Sequence, residues 1–382
     1  KCNALLESPT GTGKTLSLLC ATLAWRRSLC EFSVGRKERL NAKGSQNTDE
    51  NFSQSLNSEF PVIIYTSRTH SQIKQVIQEL RRSNYRPRMA VLGSREQLCI
   101  HEQVSLLRGK AQTSACQALC KKRSKRFCEH FSRLADFVKS NPCIGDDPID
   151  IEDLLNLGRN SGPCPYYLSR ELHKDADIIF SPYNYLIDRD YRKTLKDVWR
   201  NSILIFDEAH NLESLCADAA SFDLPSILLN SCIAEAKKCV NLSVSRRQKS
   251  GDESSNPDNF AILGALLSKL EKRISEVRIE SKELGLTKPG PYIYELFSEL
   301  NITQDTAKML IDIIEEGCKL LEEDTKMNEL GGSQKSAGAV FRLGSIGDIL
   351  KLVFRDKNNA HAQYYRVHFQ DTEANSTDMF RG

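Results

Sequence analysis

The stretch S-P-T-G-T-G-K-T, which runs from Ser8 to Thr15, decides the fold class of this chain. It matches a phosphate-binding loop of glycine, four residues, glycine, lysine, and serine or threonine, except that Ser8 stands at the first glycine position. Glycines allow backbone N–H groups to face phosphate oxygens, and the helix that follows offers its positive N-terminus. The loop therefore predicts a P-loop nucleotide-binding domain of the α/β class.

The residues of this loop predict ATP and magnesium as ligands. The Lys14 ammonium can reach the β- and γ-phosphates, and the Thr15 hydroxyl can bind magnesium. A glycine turn with a chance lysine is the alternative, but a predicted strand at Ala4–Leu6 and a helical pattern after the loop provide the expected context. The predicted nucleotide-binding residues are Ser8, Pro9, Thr10, Gly11, Thr12, Gly13, Lys14 and Thr15.

A second stretch, I-L-I-F-D-E-A-H-N, supplies the carboxylates that such a site needs. Its apolar strand, Ile203–Phe206, ends at Asp207 and Glu208, and α/β sheets bind ligands at the carboxyl ends of their strands. Asp207 can hold magnesium, while Glu208 can orient and deprotonate an attacking water. An Asp-Glu pair at a strand end is common, so the prediction of ATP hydrolysis depends on its combination with the loop.

Further short apolar runs predict the other strands of a parallel sheet. Val62–Tyr65, Met89–Leu92 and Asp177–Phe180 are bounded by polar or turn residues and separated by helical patterns. From about Cys216 the strand signals fade, and apolar residues recur at helical spacing, which predicts helices packed in a core. The two clearest stripes are Leu263, Leu266, Leu267, Leu270, Ile274 and Val277, and then Ala307, Leu310, Ile311, Ile314, Cys318 and Leu321.

Composition narrows the class of protein further. The 382 residues are 40% hydrophobic and 27% charged, as in ordinary globular domains, and the formal net charge of +3 is too small to indicate a nucleic-acid partner by itself. No run of about 18 apolar residues occurs, so a membrane span is not expected. Six of the thirteen cysteines crowd into one window, which indicates metal or cluster ligation before disulfides. They are Cys99, Cys116, Cys120, Cys128, Cys143 and Cys164.

The order of three motifs resembles that of one helicase group. The phosphate loop is followed by Y-T-S-R-T-H-S-Q (Tyr65–Gln72) and then by D-E-A-H (Asp207–His210), an order similar to that of the XPD-type iron–sulfur DNA helicases of superfamily two. Two longer stretches, Val91–His101 and Cys164–Asp188, carry the resemblance further. The resemblance is dense up to about Cys216 and thin beyond it.

The resemblance implies the activity of an ATP-dependent DNA helicase, that is, an ATP hydrolase. Such an enzyme moves 5′→3′ along single-stranded DNA and unwinds duplexes and branched or folded DNA. It also implies a nuclear protein that serves DNA repair, recombination control and telomere maintenance, with no membrane partner.

The same resemblance implies three structural parts. Residues 1–98 and 165–215 would form the first RecA-like motor domain, residues 99–164 an inserted iron–sulfur domain, and residues 216–382 a helical arch. A second RecA-like domain, which would supply an arginine to the transition state, is expected outside this chain. The 382-residue chain alone is therefore expected to hydrolyse ATP negligibly.

Residues for DNA contact and coupling are carried over from the family motif by motif. Arg68, Thr69 and His70 match residues that touch the DNA backbone, and His210 matches the residue that couples hydrolysis to movement. Polar side chains at this place are equally suited to capping the next helix, so capping is the alternative. The predicted catalytic residues are Lys14, Asp207, Glu208 and His210.

Four cysteines match the cluster ligands of the family by local context. They are Cys99, Cys120, Cys128 and Cys164. Four thiolates would hold a 4Fe–4S cluster, and intervals of 20, 7 and 35 intervening residues fit no zinc-finger template. Cys116 could replace Cys120 as a ligand. His101 and His130 keep zinc open as the alternative, in which the chain is a zinc-containing P-loop ATPase that remodels protein complexes.

A basic run separates two of these cysteines. Five of the six residues from Lys121 to Arg126 are Lys or Arg. Phosphate neutralisation there, together with base stacking on Phe127, would help to grip single-stranded DNA, and a solvated charged loop is the alternative. The predicted DNA contacts in this run are Lys121, Lys122 and Arg126.

Overall fold

The computed structural model describes residues 3–9, 11–41, 60–121, 127–141, 144, 146–192, 195, 198, 201–250, 255–279, 284–330, 342–356 and 358–371. The chain divides into two compact units, Lys1–Ala219 and Ala220–Gly382. This division lies close to the end of the predicted motor domain at residue 215.

The first unit is built on a parallel sheet. Its strands are β1 (Val62–Ser67), β2 (Met89–Val91), β3 (Ile178–Pro182) and β4 (Ser202–Phe206), in the spatial order β2-β3-β1-β4. Every neighbouring pair is parallel, with Tyr65 opposite both Phe180 and Ile205. The predicted α/β class is confirmed, and the carboxyl ends of all four strands lie on one edge.

Helices cover both faces of this sheet. The fully buried residues alternate along β1, with Ile63 and Tyr65 in one apolar cluster and Ile64 in the other. Parallel strands need such cover because crossover connections place helices on each face. The helices of this unit are α1 (Lys14–Asn41), α2 (His70–Arg82), α3 (Arg95–Leu98), α4 (Gly109–Leu119), α5 (Glu129–Ser132), α6 (Leu134–Ser140), α7 (Ile151–Ser161), α8 (Pro165–Leu172), α9 (Asn184–Ile187), α10 (Arg189–Arg192) and α11 (Leu212–Ala219).

The predicted strand at Ala4–Leu6 is wrong. The segment has no regular secondary structure, and the side chains of Leu5 and Leu6 are 91% and 72% exposed. A strand of only three residues forms few ladder hydrogen bonds, which do not offset the entropy of ordering its backbone. The phosphate loop is therefore positioned here by the helix that follows it rather than by a preceding strand.

The second unit is a helical assembly with its own core. Its helices are α12 (Ser226–Ser250), α13 (Pro257–Ser275), α14 (Tyr292–Ser298), α15 (Gln304–Leu330) and α16 (Leu343–Val353). Both predicted stripes face this core, with Leu263, Leu267, Ile314 and Leu321 among its most buried members. Val277 lies beyond the end of α13, so the first stripe extends less far than predicted.

The sequence did not predict a small two-stranded antiparallel sheet in this unit. Strands β5 (Leu286–Pro289) and β6 (Arg366–Phe369) pair antiparallel although about 80 residues separate them. Each is only four residues long and neither is rich in β-branched residues, so period-2 patterning could not reveal them. Among the described helices none combines the length and apolar character needed to cross a membrane.

Candidate nucleotide site and cysteine cluster

The phosphate loop adopts a backbone that only glycine takes without strain. Gly11 has φ +79° and Gly13 has φ +76°, both in the left-handed region. No atom lies within 4 Å of the position a Cβ would take at either residue, so conformation rather than crowding requires glycine. The Ser17 N–H donates to the Gly13 carbonyl at 2.9 Å, and α1 begins at Lys14.

Ser8, at the first glycine position of the pattern, closes the loop from the side. Its hydroxyl contacts the Thr12 hydroxyl, which also donates to the Pro9 carbonyl at 2.9 Å. A serine therefore serves here because its side chain makes a bond across the loop. Thr10, also predicted to bind nucleotide, lies outside the described residues.

Thr66 of β1 holds the end of β4 in place. Its fully buried hydroxyl donates to the Ile205 carbonyl at 2.8 Å, and its own carbonyl accepts from the Asp207 N–H at 2.9 Å. Glu208 follows with φ +57°, a left-handed conformation that is uncommon for a residue with a side chain. The strand therefore ends in a tight turn, after which the chain enters a short 3-10 helix, Ala209–Asn211.

The Tyr65 ring joins the phosphate loop to the end of β4. Burial and then the charge of Asp207 raise the pKa of Tyr65, and Thr15 also acts on the same hydroxyl. The hydroxyl oxygen is buried without a hydrogen bond of regular geometry among the described residues. Thr15 and Asp207, the two predicted magnesium ligands, therefore lie around one buried polar atom.

A second buried tyrosine faces the same carboxylates. Burial raises the pKa of Tyr183 to about 12, with further contributions from the charges of Asp207 and Glu208. Its hydroxyl is also buried without a regular hydrogen bond to the described residues. The end of β4 therefore gathers oxygen donors from Thr15, Asp207 and two tyrosines, and oxygen is the ligand type that Mg²⁺ prefers.

The D-E-A-H-N stretch carries a hydrogen-bond chain on its exposed side. His210 Nδ1 lies 3.3 Å from Glu208 Oε2, and His210 Nε2 lies 3.0 Å from Asn211 Nδ2. Asn211 Oδ1 accepts from Arg68 Nη1 at 3.2 Å. A residue predicted to contact DNA is therefore linked to two predicted catalytic residues.

The motif after β1 divides into residues with different roles. Thr69 is the N-cap of α2 and forms a capping box with Gln72, so the capping alternative is what the structure shows for Thr69. Both ring nitrogens of His70 are buried, and burial lowers the pKa of His70. Arg68 is exposed. Arg68 is therefore an exposed cation at the start of this motif, and its contact with DNA stays a prediction.

The cysteines of the crowded window converge on one cavity. Thiols from α4, from the loops before and after it, and from the start of α8 share its wall with two histidines and a tyrosine. The lining residues include Cys99, Cys116, Cys120, Cys128, Cys164, His101, His130 and Tyr167. Within the described residues no three Cys, His, Asp or Glu side chains are arranged to hold a single metal ion.

Backbone hydrogen bonds to sulfur support three of these thiols. The Cys99 thiol interacts with the backbone of His101, Cys128 with that of Phe131 and His130, and Cys164 with that of Tyr167 and Tyr166. Burial raises the pKa of all three thiols, that of Cys164 to about 12. Bonds of this kind to sulfur are one way in which proteins tune iron–sulfur clusters.

Cys116 and Cys120 form a close pair one helical turn apart. A hydrogen bond from Cys120, followed by the adjacent Arg95, lowers the pKa of Cys116, and the same pairing raises that of Cys120. Arg95 also lies over the Tyr166 ring, with its guanidinium carbon 4.2 Å from the centroid. Five thiols therefore line the cavity, and the half-buried Arg95 guanidinium lies beside Cys116.

Both histidines at the cavity have one ring nitrogen engaged by backbone. His101 Nδ1 accepts from the Gln103 N–H at 3.2 Å, and His130 Nδ1 bonds with the Gly162 carbonyl at 2.9 Å. The donor set facing the cavity is therefore dominated by sulfur, which suits an iron–sulfur cluster.

Parts of the prediction lie where the structure describes no residues. Lys122 and Arg126 of the basic run, and the surplus Cys143, fall outside the described ranges. Lys121 is exposed, and the Phe127 side chain is 62% exposed. The predicted DNA contacts of the basic run stay predictions.

Sequence reasoning missed several residues that complete these sites. Tyr65 and Tyr183 resemble core aromatics in sequence, and only the sheet register brings them beside Asp207. Asn211 had a weak signal, since it directly follows the D-E-A-H motif. Arg95 had one as well, because it stands four residues before Cys99.

Family models match most of the chain in two adjoining blocks. The DEAD_2 model matches residues 65–229, and a model described as RTEL1 helicase, ARCH domain, matches residues 231–381. The blocks meet about ten residues beyond the division between the two compact units.

Curated relatives extend the match to the whole chain. A regulator of telomere elongation helicase 1 homolog from Arabidopsis thaliana is 59% identical over 385 residues, covering 100% of this chain and 36% of the relative. The corresponding homolog from Oryza sativa subsp. japonica is 54% identical, with coverages of 99% and 39%. The Homo sapiens regulator of telomere elongation helicase 1 is 39% identical, with coverages of 93% and 30%. The chain spans about a third of the length of these relatives.

Solved structures provide a more distant comparison. An XPD helicase aligns over 91% of this chain and 46% of its own length, with 16% identity and a TM-score of 0.43. At that TM-score the fold assignment depends on the sheet topology and the family models. Both family models and the relatives that match it from end to end agree that this chain is similar to the regulators of telomere elongation helicase over its whole length.

Proposed function

We propose that this chain carries the first ATP-binding domain, the iron–sulfur segment and the arch of an ATP-dependent DNA helicase. The observation that carries the proposal is the meeting of Thr15 and Asp207 around the buried Tyr65 hydroxyl. It joins two motifs almost 200 residues apart into one site with the residue types that MgATP requires. Names of the relatives support a role at telomeres, and hence work in the nucleus.

The chemistry follows from the charge of the phosphates. Loop N–H groups and Lys14 would bind the β- and γ-phosphate oxygens, while Thr15 and Asp207 would hold magnesium. Bound magnesium neutralises charge that develops on the phosphate oxygens. Glu208, which directly follows Asp207 in the chain, would accept the proton of the attacking water.

DNA would meet the carboxyl edge of the same sheet. Exposed Arg68 is the contact to the DNA backbone, as a guanidinium is suited to bind a phosphate through two N–H groups. Lys121, at the start of the basic run, would neutralise phosphate beside the cysteine cavity. Movement in the 5′→3′ direction along single-stranded DNA, and action on branched DNA, are part of the proposal.

The cysteine cavity would hold a 4Fe–4S cluster through Cys99, Cys120, Cys128 and Cys164. A sulfur-dominated donor set, N–H bonds to three thiols and the half-buried Arg95 guanidinium beside Cys116 all suit an anionic cluster. Bound there, the cluster supplies a rigid cross-link between four distant parts of the chain. Five thiols against two histidines at the cavity favour a cluster that takes thiolate ligands.

The test uses the full-length protein that contains this chain, with ATP and single-stranded DNA. Wild type is expected to hydrolyse ATP faster when DNA is present. Lys14→Ala and Asp207→Ala should each retain less than about a tenth of that rate, since each loses a phosphate or magnesium contact worth at least about 1.4 kcal/mol in the transition state.

Two comparisons make the test specific. Asp188→Ala removes a carboxylate from the same unit, outside the site, and should keep most of the rate. Retention of more than a tenth of the wild-type rate by Lys14→Ala or Asp207→Ala would reject the assignment of the site.

A further inference from the structure

The Asn211 amide lies between residues that we assign to DNA contact and to hydrolysis. Its Oδ1 accepts from Arg68 Nη1 at 3.2 Å. Its Nδ2 donates to the Glu208 backbone carbonyl at 3.3 Å and lies 3.0 Å from His210 Nε2. One short side chain therefore touches both halves of the site.

Chemistry decides which way this amide faces. A guanidinium can only donate, and a backbone carbonyl can only accept. The amide oxygen must therefore face Arg68 and the amide nitrogen must face Glu208, so a flipped amide would lose both bonds. No alternative orientation satisfies the two partners together.

The same orientation selects one tautomer of His210. Because Asn211 presents an N–H group to Nε2, a neutral imidazole must accept there and carry its proton on Nδ1. That N–H then points to Glu208 Oε2, 3.3 Å away. The imidazole thus holds the carboxylate that we assign as general base.

We propose that Asn211 is a positioning residue that makes ATP hydrolysis depend on DNA. It transmits the position of Arg68 to Glu208 through the tautomer and orientation of His210. The inference rests on the proposed function and deepens it, because it names the link between DNA binding and the hydrolytic residues.

The state of Arg68 is what DNA changes. Its side chain is exposed, so without a phosphate it loses rotamer freedom whenever it stays on Asn211. A guanidinium has five N–H donors in a rigid fork, so a DNA phosphate can bind one edge while Nη1 stays on Asn211. Binding of the phosphate then offsets the loss of rotamer freedom of Arg68. The hydrogen bonds that connect Arg68 to Glu208 are therefore formed for more of the time.

The experiment compares variants of the full-length protein by the ratio of ATPase rates with and without saturating single-stranded DNA. Asn211→Ala removes both links and should lower this ratio at least about fivefold, within the range of coupling between residues in one network. Asn211→Asp keeps an acceptor for Arg68 but offers no donor to His210, and it should lower the ratio as well. Ser214→Ala is the matched control, since the Ser214 hydroxyl donates to the backbone carbonyl of Asn211 at 3.1 Å and does not touch its amide.

A double-mutant cycle completes the test. If Arg68 acts through Asn211, then Arg68→Ala combined with Asn211→Ala should lower the ratio no more than Arg68→Ala alone. Equal losses with and without DNA would indicate a general structural role and overturn the inference. An unchanged ratio in Asn211→Ala would also overturn the inference. The proposed function would still hold in that case, provided that DNA stimulates the ATPase of the wild type. Absence of any DNA stimulation in wild type would reject both.

Discussion

At the scale of single residues, backbone conformation sets what the phosphate loop tolerates. Gly11 and Gly13 have positive φ with open space where a Cβ would project. Gly109, at the start of α4, has φ +55° and the same open space, yet it lies outside the loop. The chain therefore contains its own control for the cost of a left-handed residue.

We expect Gly11→Ala and Gly109→Ala to lower the free energy of unfolding similarly, by about 1–2 kcal/mol, because alanine is strained at positive φ. Only Gly11→Ala should weaken nucleotide binding, since only there do the N–H groups face phosphate. Urea unfolding and titration with a fluorescent ATP analogue would measure the two effects. Equal nucleotide affinity in both variants would contradict the assignment of the loop.

At the scale of elements, Thr69 at the start of α2 caps the helix, although the family motif predicts that it contacts DNA. The Thr69 hydroxyl accepts from the Gln72 N–H at 3.3 Å, and Gln72 Oε1 accepts in return from the Thr69 N–H at 3.1 Å. Helix N-termini have unpaired N–H groups that such side chains satisfy. Capping is therefore sufficient to explain a threonine at this position.

We expect Thr69→Ala to lower the free energy of unfolding by about 1 kcal/mol, because the Gln72 N–H at the start of α2 loses its partner. Thr69→Ser keeps the hydroxyl and should lose much less. Chemical denaturation and DNA affinity would be measured together for both variants. Weaker DNA binding in Thr69→Ala at unchanged stability would show a direct DNA contact instead.

At the scale of the whole molecule, tertiary structure gathers cysteines that are far apart in sequence. The Cys164 N–H donates to the His130 carbonyl at 2.9 Å, and the Cys128 N–H donates to the Leu119 carbonyl at 3.2 Å. These bonds tie three stretches of the window together around the thiols. The free energy of binding a cluster or metal at these thiols would also stabilise the folded segment, as in other small metal-binding domains.

We expect serine at Cys99, Cys120, Cys128 or Cys164 to lower iron per chain, bleach absorbance near about 400 nm and expose residues 99–164 to protease. Serine at Cys116 or Cys143 should leave iron nearly intact, because neither belongs to the four-ligand set. Loss of iron in Cys116→Ser but not in Cys120→Ser would show that Cys116, and not Cys120, is the fourth cluster ligand. Zinc in place of iron would favour the zinc ATPase.

The second unit has a core made entirely of its own residues. Residues 220–382 should therefore unfold in one cooperative transition when expressed alone. Leu321→Ala, at a fully buried position of α15, should cost about 2–5 kcal/mol by urea denaturation. Met309→Ala on the same helix, 62% exposed, should change it by less than about 0.5 kcal/mol. Equal effects of the two would contradict this packing.

Sequence alone determined the features that depend on local chemistry. Glycine at positive φ, lysine at the first turn of α1 and the acidic pair after β4 are required at close range, so their spacing predicted the nucleotide site and the α/β class. Helical periodicity likewise predicted α13 and α15, because burial of one face every 3.6 residues leaves a pattern in the sequence. The strand at Ala4–Leu6 failed because a strand also needs a neighbour.

Only the tertiary structure decided which distant residues meet. Parallel register, which no local pattern encodes, placed Tyr65 between Thr15 and Asp207, and the turn at Glu208 placed Asn211 against Arg68. Tertiary structure also decided that five thiols meet at one cavity, because helices from different parts of the chain must pack together to bring them there. Contacts of this kind join residues far apart in sequence, and the burial and hydrogen bonding that stabilise them exist only after folding.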